Sequence, residues 1–230
     1  MNIIAIIPAR YGSKRLLAKP LIKINNKPLL QITYEAVLNS KLFKEIYIAT
    51  DSEKIQKLAS SFRAKCVITS KKCKNGTERC ANLINKLDYG DNDLIINVQC
   101  DEPFIQKKHL ESLINLFKKN NEIGTLISLI KNDEIIDPSV VKAIKINNNI
   151  IDFSRTRCKL NSKYQLYKHV GVYGYRKKTL IDIASLKNTK RELEENLEQL
   201  RWIENGFDIS SAIIKENLIS INTKNDIKKL

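Results

Sequence analysis

Short apolar runs rich in β-branched residues alternate along this chain with segments whose apolar residues recur at helical spacing. The apolar runs predict strands over residues 3–7, 46–50, 94–98, 125–130 and 140–146. The helical spacing predicts helices over residues 28–39, 52–61, 77–87 and 107–118. This alternation is typical of βαβ units, so the predicted fold is α/β and doubly wound, with a mainly parallel mixed sheet covered on both faces.

The alternation is interrupted between residues 148 and 204. Strands over 150–153 and 169–175 are predicted there, separated by a polar loop and followed by a helix over 191–204. We interpret residues 148–204 as a small insertion for site closure or dimerisation, within one domain that spans residues 1–230. A strand over 209–214 and a short helix over 223–230 are predicted to follow.

Composition excludes several classes of function. The net charge of +15 comes from dispersed lysines, and no basic run is interleaved with stacking aromatic residues, so it gives little support to nucleic-acid binding. An anionic small substrate would use the same positive potential. No apolar run approaches the ~20 residues that cross a bilayer, and the first strand stops at Pro8 without a basic leader, so we expect a cytoplasmic protein. Five scattered cysteines without a CxxC pair, and only two histidines, argue against a zinc site.

The first predicted strand runs directly into a basic loop. Just past its carboxyl end, where open α/β sheets bind ligands, a span of ten residues holds four cations: Arg10, Lys14, Arg15 and Lys19. Arg10, Arg15 and Lys19 could surround a triphosphate, while Gly12 and Ser13 allow close backbone approach. The Walker pattern GxxxxGK[ST] is absent, and a mobile basic loop is the alternative interpretation.

A second loop, residues 75–79, precedes a predicted helix. Gly76 and the amides at the helix start suit a phosphate or a base edge, and Arg79 adds positive charge. Thr77 could equally be a simple helix cap, and the two roles are compatible.

The predicted strand 94–98 ends in two adjacent acids, Asp101 and Glu102, followed by a proline. A carboxylate at such a strand end can hold Mg²⁺ against nucleotide phosphates, because Mg²⁺ prefers oxygen ligands and keeps some water. Many loops begin with Asp, so the motif alone does not decide the function.

Two polar groups lie in the later part of the chain. His169 and Tyr173 are four residues apart on a predicted strand and so face the same side, where they could meet a polyhydroxylated substrate. Glu198 and Gln199 lie on a predicted helix. For both groups a purely structural role is the alternative.

These pieces together resemble the 3-deoxy-manno-octulosonate (Kdo) cytidylyltransferases. The resemblance covers nearly the whole chain, and seven segments follow the family's order: IPARYGSKRLLAKPL, ATD, NGTER, NVQCDEP, SR, HVGVYGYR and LEQLR. It implies a fold of the nucleotide-diphospho-sugar transferase type, a homodimer, and transfer of CMP from CTP to the anomeric hydroxyl of Kdo for lipopolysaccharide biosynthesis.

The resemblance also implies roles for individual residues. Positions that handle the triphosphate are Arg10, Ser13, Arg15 and Lys19. Positions that hold the cytidine end are Gly76, Thr77, Glu78, Arg79 and Gln99. Positions that surround the sugar acid are Arg155, His169, Tyr173, Glu198 and Gln199. Asp101 would bind Mg²⁺.

Three departures from the family pattern affect the expected site. Cys100 replaces a glycine beside Asp101, and Leu17-Ala18 stands where Pro-Gly is usual, which could shift the neighbouring lysine. Asn222 occupies the position of a second metal aspartate; it keeps an oxygen ligand but loses the charge, unless Asp226 compensates.

Three alternatives to Kdo activation stay open at this stage. The chain could activate a related acid, such as an 8-amino-Kdo or sialic-type sugar. It could be a decayed, non-catalytic nucleotide-binding homologue, which Asn222 and Cys100 favour. Nucleic-acid binding is supported by net charge only.

Overall fold

The structure, a computed structural model, describes residues 1–12, 16–156 and 164–228. Its strands are β1 (Ile3–Ala9), β2 (Lys23–Ile24), β3 (Lys27–Pro28), β4 (Glu45–Thr50), β5 (Lys65–Ile68), β6 (Leu94–Val98), β7 (Ile123–Leu129), β8 (Lys142–Ile146), β9 (Asn149–Ser154), β10 (Leu166–Arg176) and β11 (Ile209–Ile214). Its helices are α1 (Leu29–Ser40), α2 (Glu53–Ser61), α3 (Gly76–Ile84), α4 (Lys107–Leu116), α5 (Asn132–Ile136), α6 (Lys177–Ser185), α7 (Lys190–Glu195), α8 (Glu198–Glu204) and α9 (Lys224–Lys228).

Nine of these strands form one mixed sheet in the order β5-β4-β1-β6-β10-β7-β11-β9-β8. The half from β5 to β6 is parallel throughout, and β7 pairs in parallel with β11. Strand β10 is antiparallel to both β6 and β7, and β9 is antiparallel to β11 and β8. The predicted doubly wound, mainly parallel mixed sheet is confirmed.

Helices cover both faces of the sheet because successive side chains of the buried strands alternate between two cores. In β1, Ala5 and Ile7 contribute to the core that includes residues of α1, α2 and α4. Ile4 and Ile6 contribute to the other core, with residues of α3, α6 and α8 and the buried Trp202. A strand that is buried on both faces reads as a continuous apolar run, which is why β1 and β6 were predictable.

The segment 148–204 contributes β9 and β10 to the same sheet, and α6 packs against α3. The single helix predicted over 191–204 was wrong. The backbone reaches the left-handed region at Asn196, with φ of 53°, and this ends α7 and separates it from α8. Five elements were not predicted at all: the strands β2, β3 and β5 and the helices α5 and α6.

No helix within residues 1–12, 16–156 and 164–228 is long and apolar enough to cross a membrane.

The chain after β1 returns towards the sheet through a left-handed residue. Ala18 has φ of 54° and ψ of 30° and immediately precedes a 3₁₀ turn over Lys19–Leu21. Its amide donates to the carbonyl of Tyr11 at 3.0 Å, which closes the loop. A residue with a Cβ is strained in this conformation, whereas glycine is not.

We therefore expect the Ala18→Gly variant to be more stable than the wild type by up to about 1 kcal/mol in urea unfolding, because relief of the strain outweighs the added chain entropy. The control is Ala36→Gly in the interior of α1, where the same change should cost about 1 kcal/mol. A loss of stability in Ala18→Gly would contradict the inference that the left-handed conformation of Ala18 is strained.

Candidate active site

Two loops meet at one edge of the sheet because β1 and β6 are parallel neighbours. Ile3 of β1 lies opposite Leu94 of β6, and the register continues to Ile6 opposite Asn97. The carboxyl ends of both strands therefore lie at the same edge. Arg10 directly follows β1, and the loop that carries Asp101 follows β6.

Lys19, Asp101 and Asn222 come together at this edge. The Lys19 Nζ lies 2.6 Å from Asp101 Oδ2 and 3.4 Å from Asn222 Oδ1. The side chains of Lys19 and Asp101 are 12% and 24% exposed, so the ion pair is mostly shielded from solvent. A carboxylate and an amide oxygen that already flank one cation are suitable ligands for a metal cation.

Asn222 is held in place by its own helix cap. Asp226 Oδ2 accepts hydrogen bonds from the amides of Asn222 and Thr223 at 2.9 and 2.7 Å, and from the Thr223 hydroxyl at 3.0 Å. The amide of Ile221 donates to the carbonyl of Asp101 at 2.9 Å. In this arrangement Asp226 caps α9 through its Oδ2.

Cys100 adopts its position without backbone strain. Its backbone φ is not positive, and its side chain is buried. Its carbonyl accepts a hydrogen bond from the Thr33 hydroxyl at 2.8 Å. The backbone freedom of the family's glycine is therefore unnecessary for this loop conformation.

The second loop lies against the first. Asn75 caps α3 by accepting the amide of Glu78 at 2.8 Å, and Arg10 Nη1 donates to the carbonyl of Lys74 at 3.3 Å. A Cβ added to Gly76 would lie 2.6 Å from the Gln99 side-chain nitrogen. Glycine lets the side-chain amide of Gln99 pack directly on the backbone here, and a larger residue would displace that side chain.

Arg79 is placed differently from its predicted role. Its side chain is only 2% exposed and lies inside the sheet edge, where Nη1 donates to Thr69 Oγ1 at 2.7 Å and Nη2 to Asp51 Oδ2 at 2.8 Å. The guanidinium therefore holds α3 against the ends of β4 and β5, and in this conformation it is not presented to a ligand.

Glu198 and Gln199 belong to the first turn of α8; Gln199 is buried and Glu198 is partly buried. Glu198 Oε2 accepts the amide of Thr77 at 3.4 Å, which joins α8 to the start of α3. The Thr77 hydroxyl lies 3.3 Å from that of Tyr175. Burial raises the pKa of Glu198 to about 7.

His169 and Tyr173 lie side by side on β10, with ring centroids 5.2 Å apart. Thr125 donates its hydroxyl proton to the Val172 carbonyl, so the His169 Nε2 must donate to Thr125 Oγ1, at 3.0 Å. Burial, and then the charge of Arg155, lower the pKa of His169 to about 3. His169 is therefore a neutral hydrogen-bonding group at neutral pH.

Arg155 is anchored beside the end of β9. Its Nε donates to the carbonyl of Glu195 at 3.2 Å, and its amide donates to the Glu195 carboxylate at 2.8 Å. Arg155 is close enough to affect the pKa values of both His169 and Tyr173. Of the remaining predicted positions, Ser13 and Arg15 lie outside the described residues.

Glu102 is a residue of the site to which we had assigned no role. Its Oε1 accepts the Ser220 hydroxyl at 2.6 Å and the Gly171 amide at 3.1 Å, which joins β10 to the segment before Asn222. Burial, followed by the charge of Asp101, raises its pKa to about 7. Its position next to Asp101 in the sequence was the available signal, but its partners are distant in the chain.

The described residues contain no group of three or more acidic, cysteine or histidine side chains that could hold a metal. A metal bound by Asp101 and Asn222 would therefore need further oxygen ligands from water and from a phosphate. This is the usual coordination of Mg²⁺ in nucleotide sites, so the residues present fit that ion.

A mainly parallel sheet that carries cations and a carboxylate beyond its strand ends defines the class of α/β nucleotide-binding proteins. Residues 4–213 match the family described as cytidylyltransferase. An 8-amino-3,8-dideoxy-manno-octulosonate cytidylyltransferase of Shewanella baltica strain OS185 is 40% identical over 237 aligned residues, which cover 100% of this chain and 97% of the relative. The chain belongs to the cytidylyltransferase family and is a CTP-dependent nucleotidyltransferase.

Solved structures agree with this assignment. A CMP:2-keto-3-deoxy-manno-octonic acid synthetase complexed with CTP superposes with a TM-score of 0.89 at 31% identity and covers 100% of this chain and 96% of its own. A 4-diphosphocytidyl-2C-methyl-D-erythritol synthase from Anaerococcus prevotii superposes with a TM-score of 0.65 at 18% identity, over 99% of this chain and 95% of its own. The second likeness concerns the fold alone.

The burial of His169 predicts how the free energy of unfolding changes with pH. Its pKa falls from 6.5 to about 3 on folding, so its contribution is complete above pH 6.5 and is lost as the pH falls towards 3. Between pH 7.5 and 5 the wild type should lose about 2 kcal/mol of unfolding free energy more than a His169→Gln variant. Urea unfolding at both pH values measures the difference, and equal losses would contradict the burial of a neutral His169. Between pH 7.5 and 8 the unfolding free energies of the two proteins should change by the same amount.

Proposed function

We propose that this protein transfers a cytidylyl group from CTP to a sugar acid of the Kdo type, with 8-amino-3,8-dideoxy-manno-octulosonate as the preferred acceptor and Kdo as the second. The observation that supports the acceptor most directly is the 40% identity along the whole chain to proteins described by that activity. The likeness to the synthetase of 2-keto-3-deoxy-manno-octonic acid, at 31% identity, supports Kdo as the other candidate.

The reaction needs alignment and charge neutralisation more than covalent catalysis. The anomeric hydroxyl oxygen would bond to the α-phosphorus of CTP, the bond from that phosphorus to pyrophosphate would break, and the hydroxyl proton would pass to solvent. Arg10 and Lys19 are the described cations at the loop edge, and they would neutralise the triphosphate and its departing pyrophosphate.

Asp101 would hold Mg²⁺, with Asn222 beside it, and the ion would supply phosphate neutralisation and a lower pKa for the attacking hydroxyl. Lys19 donates a hydrogen bond to Asp101 Oδ2, so it would orient that carboxylate before the nucleotide binds. Gly76 and Gln99, which are packed against each other, would hold the cytidine end.

The sugar acid would lie against β10 and α8. Arg155 would pair with its carboxylate, since a guanidinium matches a carboxylate with two parallel hydrogen bonds. His169, which is neutral, and Tyr173 would contact hydroxyl groups without adding charge. Glu198 and Gln199, at the start of α8, would contact the remaining polar groups.

We further propose that the protein works as a homodimer in the cytoplasm and that its product serves lipopolysaccharide synthesis. Nucleic acid and membrane are not expected partners. Sequence resemblance supports the homodimer, the location and the role of the product. The basic residues of the sequence are not interleaved with aromatic residues on which bases could stack, which argues against nucleic-acid binding.

Pyrophosphate release tests the reaction, the acceptor and the cation together. With CTP and Mg²⁺, we expect release with 8-amino-3,8-dideoxy-manno-octulosonate and Kdo, a higher kcat/KM for the amino sugar, and no release with a sialic acid. CTP binding without turnover on any acceptor would contradict catalysis and favour a decayed homologue. A higher kcat/KM for Kdo would contradict the preferred acceptor alone.

Asn222→Asp should tighten the dependence on Mg²⁺, because it adds a negative charge beside Asp101. One further charge at about 4 Å is worth about 1 kcal/mol in water, so the half-saturating Mg²⁺ concentration should fall roughly fivefold or more. The control is Asn115→Asp, which adds the same charge on the exposed surface of α4. An unchanged Mg²⁺ titration of pyrophosphate release would remove Asn222 from the metal site.

A further inference from the structure

The guanidinium of Arg201 is buried where three helix ends meet. Arg201 is 1% exposed and belongs to α8, and its Nη1 donates to the carbonyl of Leu186, the residue after α6, at 2.8 Å. Its Nε lies 3.4 Å from Glu192 Oε2 on α7, and its Nη2 lies 3.7 Å from Glu78 Oε1 on α3. Neither nitrogen makes a hydrogen bond within the described part of the chain.

Both carboxylates near Arg201 belong to helix caps. Glu78 accepts the amide of Lys74 at 2.8 Å, while its own amide donates to the side chain of Asn75, the cap of α3. Glu192 forms the equivalent pair of contacts with Thr189 at the start of α7. A buried charge of this kind is costly unless its partners are fixed, so the two caps and the guanidinium support one another.

A second contact joins the same two helices one turn earlier. Glu198, three residues before Arg201, accepts the amide of Thr77 at 3.4 Å. Residues three apart lie on the same face of a helix, so α8 holds the start of α3 at two neighbouring points. One of these points, Glu198, lies in the proposed sugar pocket, and the other reaches the loop proposed to hold cytidine.

We propose that Arg201 is a positioning residue that fixes the start of α3, residues 75–79, against α8, so that the nucleotide and sugar subsites are held as one unit. The names of the two subsites rest on the proposed function. Arg201 touches neither substrate in this scheme; it acts through Glu78 on one side and through Glu198 and Gln199 on the other.

The test compares Arg201→Lys with Arg191→Lys. Lysine keeps the charge but cannot reach three helix ends with a planar fork. The control replaces an arginine of α7 that is 46% exposed and paired with Asp152. In Arg201→Lys, the KM values for CTP and for the sugar acid should each rise about fivefold or more, with a smaller change in kcat. The control should stay within twofold of the wild type.

A double-mutant cycle locates the coupling. The effects of Glu78→Gln and Arg201→Lys on the Kd of a non-hydrolysable CTP analogue should be non-additive. Amide hydrogen exchange over residues 76–79 should be faster in Arg201→Lys by about the same factor as the rise in Kd. If Arg201→Lys is non-additive with Glu192→Gln but additive with Glu78→Gln, Arg201 acts through α7 and the proposal is overturned.

Two further outcomes distinguish a failure of this proposal from a failure of the proposed function. If Arg201→Lys lowers the melting temperature but leaves both KM values within twofold at a temperature where it is folded, Arg201 is only structural and the proposal is overturned. Analogue binding and hydrogen exchange require no sugar. If the wild type turns over no sugar acid, the proposed function fails, while these two measurements still decide the role of Arg201.

Discussion

The arrangement of the site depends on the ion pair between Lys19 and Asp101, and this pair depends on the parallel register of β1 and β6. Neighbouring parallel strands bring their following loops to one edge, and the left-handed turn at Ala18 directs the first loop back towards the second. A slip of one residue in the register would move the buried side chains of β1 to the opposite face and separate the two charges.

The site also holds buried or partly buried ionisable groups, and they affect stability in opposite directions. The carboxyl pKa values of Glu102 and Glu198 rise from 4.5 to about 7, so both groups favour the folded state at low pH and cease to do so as the pH rises through 7. His169 has the reverse dependence. The stability given up here maintains hydrogen-bonding groups that are partly or fully buried, where electrostatic interactions are stronger than in water.

The sequence predicted the main strands and the strand-end location of the site because both follow from local patterns. Continuous apolar runs marked β1 and β6, and cations or a carboxylate after each run marked the shared edge. Arg79 illustrates the limit, since its partner Asp51 lies 28 residues away and no local pattern shows that the guanidinium is buried. The roles of Glu102 and Arg201 depend in the same way on packing between distant segments.

The segment that carries Asn222 completes the site late in synthesis. The Ser220 hydroxyl reaches Glu102 across 118 positions of sequence, and Asn222 meets Lys19 across 203. The core strands β1, β4 and β6 can leave the ribosome and pair long before these residues have been translated. A nascent chain would therefore hold the basic loop and Asp101 in place while it still lacked the contacts that close the cation site, so competence for catalysis should appear after most of the sheet has folded.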